Sequence, residues 1–420
     1  MSLILVLNAG SSSLKFQLLK KEDTLKVVAK GSIQEIGSSS KSTITCTVNT
    51  NEYNQNVNVS DHKDAINLLI DHLVDSEPKV VNCKEDIELI GHRVVHGGDQ
   101  TTPLIIDPQS LKKIDELTEL APLHNHSSVQ VIRHCLKIMP HGKNIACFDT
   151  MFHKSLPPHV YTYPIPYENT VKQSIRKYGF HGLSYGHIIK VASNHLEGKP
   201  EDFKFIALHL GSGASACAIK YGASIDTSMG MTPLEGLMMG TRSGDIDPSL
   251  IFHLPHREEM ANEAPGIEGE KFHLTKAEYI LNHQSGLKGV AGTNDIREII
   301  KLSSSSDKEK SKRAKLALDM FIYRIQKYIG AYYVALNGAD AIILSGGIGE
   351  KSKEVRDGIC QGLESIGIKL NMTKNDAVEE QFKNGKTVVE IGEGKVRTLV
   401  IQTDEEMEIA RAVLEIEKQS

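Results

Sequence analysis

Two stretches of the chain repeat one alternation of apolar and polar positions. Leu3–Phe16 reads LILVLNAGSSSLKF and Phe205–Ile219 reads FIALHLGSGASACAI. In each, an apolar run ends at a polar residue, Asn8 or His209, and a Gly/Ser turn then leads into a second apolar run. The pattern predicts strand, tight turn and strand. Neither turn carries a bulky side chain, so backbone N–H groups can approach an anion closely. Two such hairpins in one chain predict a duplicated domain with phosphate groups held between the halves. Further strands are expected at Val27–Ile33, Ser42–Val48, Ile87–Val95, Asn144–Phe148, Ala341–Leu344 and Thr398–Ile401. Helical spacing predicts helices over Asp61–Val74, Ser110–Leu120, Ser127–Met139 and Asp404–Glu417. It also predicts a long helix with Leu318, Ile322, Ile325 and Ile329 on one stripe, and another with Val355, Ile359, Leu363 and Ile366 on one face.

Between these elements lie three segments of other character. Pro157, Pro158, Pro164 and Pro166 punctuate a stretch that reads as an inter-domain crossing. Asp226–Ser249 is too rich in Gly, Met, Thr and Pro for one regular element, and reads as a functional loop. Lys301–Lys312 reads as a solvated low-complexity loop. Strands alternating with helices after each hairpin give an α/β class with mixed sheets.

At 420 residues the chain exceeds what one core usually supports, so two domains are expected. Forty-eight basic residues against fifty-three acidic give a net charge of −5, with no dense Lys/Arg stripe, which excludes a nucleic-acid signature. The six cysteines, Cys46, Cys83, Cys135, Cys147, Cys217 and Cys360, form no C-x-x-C pair. They read as reduced and mostly buried, as in a cytoplasmic protein. The apolar run Leu3–Leu7 is short and follows no basic segment, so it does not read as a signal peptide. No stretch approaches membrane-spanning length, and a soluble protein without membrane partners is expected.

The strongest nucleotide signal is Ser345–Glu350, SGGIGE, between a strand and a helix. Its glycines allow a tight turn, and the helix behind it offers N–H groups and a positive dipole end. It is not the G-x-x-x-x-G-K-[ST] loop. Arg93, in an apolar strand, and Arg242, in MMGTRSGDIDP, are isolated guanidinium groups suited to a carboxylate or phosphate. For Arg242 the alternative is an ion pair with Asp245 or Asp247. His92, His96, His124, His126, His153, His181 and His209 fall at expected strand ends and turns, without zinc-ligand spacing. Most read as structural, whereas His181 in YGFHGLSY sits at a turn from which it could reach a cleft. Asp149 follows a buried strand, where α/β sites form. Thr403 and Glu406 have capping-box spacing, which leaves Glu405 to project.

The segments LNAGSSSLKF, HRVVHGG, FDTMFH, YGFHGLSYGH, LHLGSGAS, DTSMGMTPLEGLMMGTRSGDIDP, GTNDIRE, GGIGE and TDEE resemble the acetate kinase family from Leu5 to Arg411. That resemblance implies the acetate and sugar kinase, heat-shock chaperone and actin superfamily: two duplicated ribonuclease H-like domains of mixed sheets flanked by helices, with the active site in the interdomain cleft. It implies an N-terminal lobe over 1–152 plus 404–420 and a C-terminal lobe over 153–403 carrying the nucleotide site and the contacts of a homodimer. Asn8 and Glu405 would hold Mg²⁺, or Mn²⁺ in its place, and Lys15 would touch the phosphates of ATP or ADP. Arg93 and Arg242 would engage the acyl carboxylate and the phosphoryl group in flight. Asp149 would be the essential carboxylate, and His181 would stabilise the transferring phosphoryl. His209, Leu210, Gly211, Ser212 and Gly213 would form the second phosphate hairpin. Asp295, Ile296 and Arg297, with Gly347, Ile348, Gly349, Glu350 and Lys351, would border the adenosine. Val95, Leu123, Phe180 and Pro233 match the family's pocket for the substrate methyl group. Ser212 and Lys351 both stand where the family usually has Asn, and both flank the nucleotide.

The chemistry implied is reversible transfer of the ATP γ-phosphoryl group to acetate. A carboxylic acid of pKa near ~4 is already ionised at neutral pH and needs no general base. Asp149 is therefore expected to orient Mg²⁺ or an arginine. The nearest alternative is a propionate kinase with the same mechanism. A more distant one is an ATP-driven binding protein on the actin or chaperone scaffold, which needs no arginine-lined acceptor site.

Overall fold

The computed structural model describes residues 3–38, 42–48, 51–75, 79–117, 122–255, 259–262 and 272–418, and side chains except those of 122–124, 259–262 and 272–274. Its strands are β1 Leu3–Ala9, β2 Ser13–Lys21, β3 Leu25–Gln34, β4 Ser42–Val48, β5 Asn51–Val57, β6 Ile87–Val94, β7 Leu104–Ile105 and β8 Lys143–Phe148. They continue with β9 Lys204–Leu210, β10 Ala214–Lys220, β11 Ala223–Thr227, β12 Glu259–Asn262, β13 Phe272–Thr275, β14 Ala341–Ser345, β15 Val388–Glu390 and β16 Arg397–Ile401. The chain divides into two compact units. The first holds Met1–Met151 and Glu405–Ser420, the second Phe152–Met260 and His273–Asp404.

In the first unit the strand order is β5-β4-β3-β2-β1-β6-β8-β7, and in the second it is β11-β10-β9-β14-β16-β15. β1 pairs antiparallel with β2 and parallel with β6, and β6 pairs parallel with β8. β9 repeats this, antiparallel to β10 and parallel to β14, which is parallel to β16. The duplication read from two hairpins is therefore a duplication of whole sheets. β1 is buried along its full length, as a central strand covered on both faces must be, which is why it reads as an unbroken apolar run.

The first core gathers Leu5, Leu7, Phe16 and Leu18 with Ile66 and Leu69 from the helix His62–Asp75. A second cluster joins Val94 and Phe148 to Val129 and Ile132. In the second unit Phe205, Cys217, Ile343 and Leu399 pack with Tyr185, Ile188 and Ile189 of the helix Gly182–His195. The final helix, Glu405–Glu417, lies directly on the first sheet. A Cβ at Gly91 would stand 2.7 Å from Ile409 Cγ2 and 2.9 Å from Val413 Cγ2. Glycine at position 91 thus lets that helix approach closely enough to deliver its first turn to the ends of β1 and β6.

Several expectations are corrected. The supposed loop Lys301–Lys312 is mostly helix: Ile296–Ser303 and Lys308–Ala335 leave only Ser304–Asp307 between them, and Asp307 caps the second helix. Its charged residues form the solvated face of helices whose apolar positions, apart from Leu302, lie outside that window. The face read through Leu363 and Ile366 stops early, because the helix ends at Cys360 and Gly362 adopts φ +76°. β5, NEYNQNV, was not foreseen, since an exposed polar edge strand carries no apolar alternation. The unit boundaries fall at Met151/Phe152 and Asp404/Glu405, and Ala261, Asn262 and Phe272 group with the first unit. Those three residues belong to the separate two-stranded sheet β12–β13.

Candidate functional site

In the first unit the C-terminal ends of adjacent parallel strands β1, β6 and β8 carry Asn8, Arg93 and Asp149. Lys15 is the cross-strand partner of Asn8. Arg93 donates from Nε to Asp149 Oδ1 at 3.1 Å and from Nη2 to Oδ2 at 2.6 Å, a bidentate pair. Its Nη1 donates to Asn8 Oδ1 at 3.1 Å and stands 3.8 Å from Glu405 Oε2. The Asn8 amide donates to Glu405 Oε2 at 3.1 Å and Glu406 Oε1 at 2.8 Å. Asp149 is only 1% exposed, so its charge depends on these partners. Burial alone would lower the Arg93 pKa, but attraction to Asp149 and then Glu405 raises it above the usual arginine range. Arg93 is a permanent cation.

Glu406 does not close a capping box. It turns to Asn8, while the Thr403 N–H donates to Glu350 Oε1 at 3.1 Å and the Thr403 hydroxyl bonds Ser184 at 2.7 Å. Burial first, and then repulsion from Glu405, raises the Glu406 pKa above its ordinary 4.5. Three carboxylates thus converge on Asn8 and Arg93. Their hard oxygens, together with a carboxyl strained towards protonation, fit a small divalent cation. Among the described residues no group of three or more His, Cys, Asp or Glu is arranged to hold a metal. A partial oxygen set is what Mg²⁺ uses when water and phosphate complete its shell.

A stability prediction follows from the sign of that shift. Ionised Glu406 penalises the folded state, a cost absent below pH about 4.5 and growing as pH rises through the raised value. Glu406→Gln, whose amide oxygen can still accept from Asn8, should raise Tm by a few degrees at pH 7 and by nothing at pH 4. Mg²⁺ should narrow the pH 7 gap. Calorimetry of both proteins with and without Mg²⁺ checks this, and an unchanged Tm at pH 7 refutes it.

In the second unit His209, near the end of β9, faces Ser215 on β10. The Gly211 N–H closes the turn onto Gly213 O at 3.0 Å, as Gly10 N–H does onto Ser13 O at 2.8 Å in the first hairpin. His181 precedes the helix Gly182–His195 with φ +58°, a left-handed conformation that is costly for a residue with a Cβ. Its ring stacks on His209 with centroids 4.2 Å apart, and its Nδ1 bonds Ser215 Oγ at 2.8 Å. Ser215 also bonds the Tyr185 hydroxyl at 2.5 Å, and His209 Nδ1 bonds Ser184 Oγ at 2.8 Å. A Cβ at Gly213 would stand 3.4 Å from Arg242 Nη1 and 3.5 Å from His181 Nε2. The hairpin, the arginine and the imidazole therefore border one small space.

Arg242 rides on a loop held at tip and neck. At the tip, Met239 N–H donates to Arg242 O, Gly240 N–H to Ser212 O and Ser285 N–H to Thr241 O. Gly286, at φ +61°, is needed there, since a Cβ would stand 2.2 Å from Met239 O. At the neck Asp245 accepts from Gly236 N–H at 2.8 Å and Tyr328 OH at 2.7 Å, and Arg324 donates to Gly236 O at 3.0 Å. Asp247 caps Ser249 N–H. The two carboxylates named as ion-pair alternatives for Arg242 are thus engaged in shaping the loop.

The SGGIGE turn abuts the hairpin. Gly346, at φ +76°, would place a Cβ 2.8 Å from Leu210 O. Its N–H is not left open as expected, because Glu350 Oε1 accepts it at 3.0 Å. At Gly347 a Cβ would meet nothing within 4 Å, so the backbone there is open to a ligand. Arg356, missed from the sequence, is buried and donates to Gly349 O at 3.1 Å and Glu350 O at 2.8 Å, with Nε on Asn375 at 2.6 Å. Nothing in its local pattern distinguishes it from a surface arginine. Asp295 caps the helix Ile296–Ser303 and pairs with Arg297, whose hydrogen bonds pull the Asp295 carboxyl down to about 2. Lys351 lies exposed at the end of the short helix Gly346–Lys351. Of the residues expected to line a methyl pocket, Val95 is buried in the first unit, and Phe180 and Pro233 in the second. The Leu123 side chain lies outside the described residues.

The family model described as the acetokinase family matches residues 3–411. An acetate kinase of Thermoanaerobacterium thermosaccharolyticum is 43% identical over 97% of both chains, and one of Thermotoga petrophila is 41% identical over 98% of both. The crystal structure of Porphyromonas gingivalis acetate kinase superposes with a TM-score of 0.82 at 35% identity, covering 99% of this chain and 100% of that one. A propionate kinase structure from Francisella tularensis gives 0.84 at 37% identity, over 98% and 99%. With sequence and fold matched over nearly its whole length, the chain belongs to the acetokinase family.

Proposed function

We propose that this protein is an acetate kinase that reversibly transfers the γ-phosphoryl group of ATP to acetate, giving acetyl phosphate and ADP. The observation that carries the mechanism is the bidentate grip of Asp149 on Arg93. A carboxylate committed to a guanidinium orients a cation, and acetate, already ionised, asks for no base. Arg93 holds the acetate carboxylate. One acetate oxygen attacks the γ-phosphorus, the bond to the bridging oxygen of ADP breaks, and ADP leaves with that electron pair. Arg242 and His181 offset the charge on the transferring group. Lys15, the His209–Gly213 hairpin, Asp295–Arg297 and Gly347–Lys351 form the nucleotide site. Asn8 and Glu405 would hold Mg²⁺, which would supply positive charge against the phosphates of the nucleotide.

The proposal extends to a homodimer in the cytoplasm. Leu316, Met320, Tyr323 and Val334 on the helix Lys308–Ala335 are 50%, 42%, 64% and 78% exposed, an apolar stripe at helical spacing that a second copy would cover. Five of the six cysteines are buried and all six are free, consistent with a reducing compartment. No described helix is long and apolar enough to cross a membrane.

The substrate reading rests on Val95, a pocket residue large enough to favour the shorter acid. One methylene changes discrimination by only ~1–3 kcal/mol, so propionate should be a slower substrate and not an excluded one. A hydroxamate assay across acetate, propionate and butyrate should give the highest kcat/KM for acetate. A higher value for propionate would make the protein a propionate kinase.

A further inference from the structure

His153 stands in the FDTMFH segment, has no part in the chemistry above, and is 1% exposed. Its Nε2 lies 2.9 Å from the Phe180 carbonyl oxygen and its Nδ1 lies 2.8 Å from Ser224 Oγ. A carbonyl only accepts, so Nε2 carries the proton and Nδ1 takes up the serine hydroxyl. Burial lowers the ring's pKa to about 4, so this tautomer is the neutral form that persists at working pH. Ser224 lies 3.3 Å from Cys217 Sγ, and its carbonyl accepts from Ser155. The imidazole is therefore fixed from behind.

What it fixes is the turn that aims two site residues. Phe180 is a methyl-pocket residue, and the next residue, His181, has the unfavourable φ of +58°. Such a conformation persists only where surrounding contacts over-determine it. The turn is held on its other side by Tyr178 and Gly179 N–H groups, both donating to Gly230 O. Gly179, at φ +77°, would place a Cβ 2.7 Å from His153 Cδ2, so only glycine lets the turn close onto the ring. We infer that His153 is a positioning residue for the transfer step: by holding the Phe180 carbonyl through Nε2–H, it sets the left-handed turn that directs the His181 imidazole. The inference rests on the proposed role of His181.

Four variants test it: His153→Gln, His153→Leu, Ser224→Ala and, as reference, His181→Ala. Gln can present an amide N–H where Nε2 stood, whereas Leu fills the space with no donor. His153→Leu should lower kcat about 10- to 100-fold, the scale of a misplaced catalytic group, with the nucleotide Kd unchanged. His153→Gln should recover most of that loss. Ser224→Ala should fall between them, since it loosens the ring without removing the donor. The acetate-to-propionate ratio should shift in His153→Leu, because Phe180 moves with the turn. Equal activity in the Gln and Leu variants, or a Leu variant with wild-type kcat, overturns the inference. A His181→Ala enzyme of unimpaired kcat would instead overturn the role given to His181. If the Leu variant does not fold, the other two still decide the matter: Ser224→Ala must lose more kcat than His153→Gln while both keep their nucleotide Kd, and equal kcat in the two, or a loss of nucleotide affinity to match the loss of kcat, counts against the proposal.

Discussion

Arg93→Ala is expected to abolish the proposed acyl-phosphate formation and also to destabilise the protein, and the second effect should separate from the first. Asp149 is almost fully buried and its two oxygens meet Arg93 at 3.1 and 2.6 Å. Removing the guanidinium leaves that charge, with Glu405 and Glu406 beside it, undercompensated. Breaking one side of a buried pair costs about 3–5 kcal/mol. The Tm of Arg93→Ala should therefore fall well below that of the native enzyme. The double variant Arg93→Ala with Asp149→Ala removes the stranded charge and should regain much of the lost stability, yet remain inactive. Arg93→Lys keeps the charge but not the planar two-point grip, and should keep more stability than activity. Calorimetry and the hydroxamate assay on these three proteins give the comparison. A double variant no more stable than the single one would mean that Asp149 does not depend on Arg93, contradicting the geometry.

How much of this was legible in the sequence varied with the physics of each signal. β1 and β9 are central strands whose apolar runs end in a polar residue and a glycine turn, so both hairpins showed themselves. Arg93 and Asp149 were singled out because a charged residue at the end of an apolar run is conspicuous, and Asp149 was expected to orient Mg²⁺ or an arginine, but which arginine was not visible, since β6 and β8 are joined only by the fold. Glu406 was misjudged for a related reason. Capping-box spacing is a local rule, whereas its competitor, the Asn8 amide, lies 398 residues away in sequence. The charged window at Lys301–Lys312 concealed two helices because its apolar partners fall outside it, with Ala314, Ala317 and Phe321 facing the core of the second unit.

Positions that act through another residue left the faintest trace. Arg356 binds three backbone carbonyls, and a backbone acceptor has no sequence signature. His153 resembled any core histidine, and a core histidine it is. Its partner, the Phe180 carbonyl, becomes consequential only because the following residue is forced to φ +58°. Resemblance to the family supplied these motifs as strings, and the contacts within each unit give them physical reasons.

Arg242→Ala offers the complementary case, a large loss of turnover with little loss of fold. Arg242 projects from a loop whose shape is fixed by its backbone and neck, through Gly240 N–H on Ser212 O, Gly236 N–H on Asp245 and Tyr328 on Asp245. Those bonds are made by backbone groups, Asp245 and Tyr328, and the guanidinium adds a weak contact from Nη1 to Met239 Sδ at 3.9 Å, so truncating it should leave the loop in place and Tm within a few degrees. The space that Arg242 Nη1 shares with Gly213 and His181 Nε2 is the one proposed for the transferring phosphoryl group. Arginines that offset charge in phosphoryl transfer contribute on the order of 10³–10⁵ in kcat. Arg242→Ala should accordingly lose at least ~10³-fold in kcat, while titration with a fluorescent ATP analogue gives a Kd within about threefold of wild type. An ATP-driven binding protein without an acceptor site would show the opposite, with its ATP-dependent behaviour indifferent to Arg242. Near-normal turnover in Arg242→Ala would therefore remove the second unit's contribution to the transfer and, with it, the kinase mechanism argued from this site.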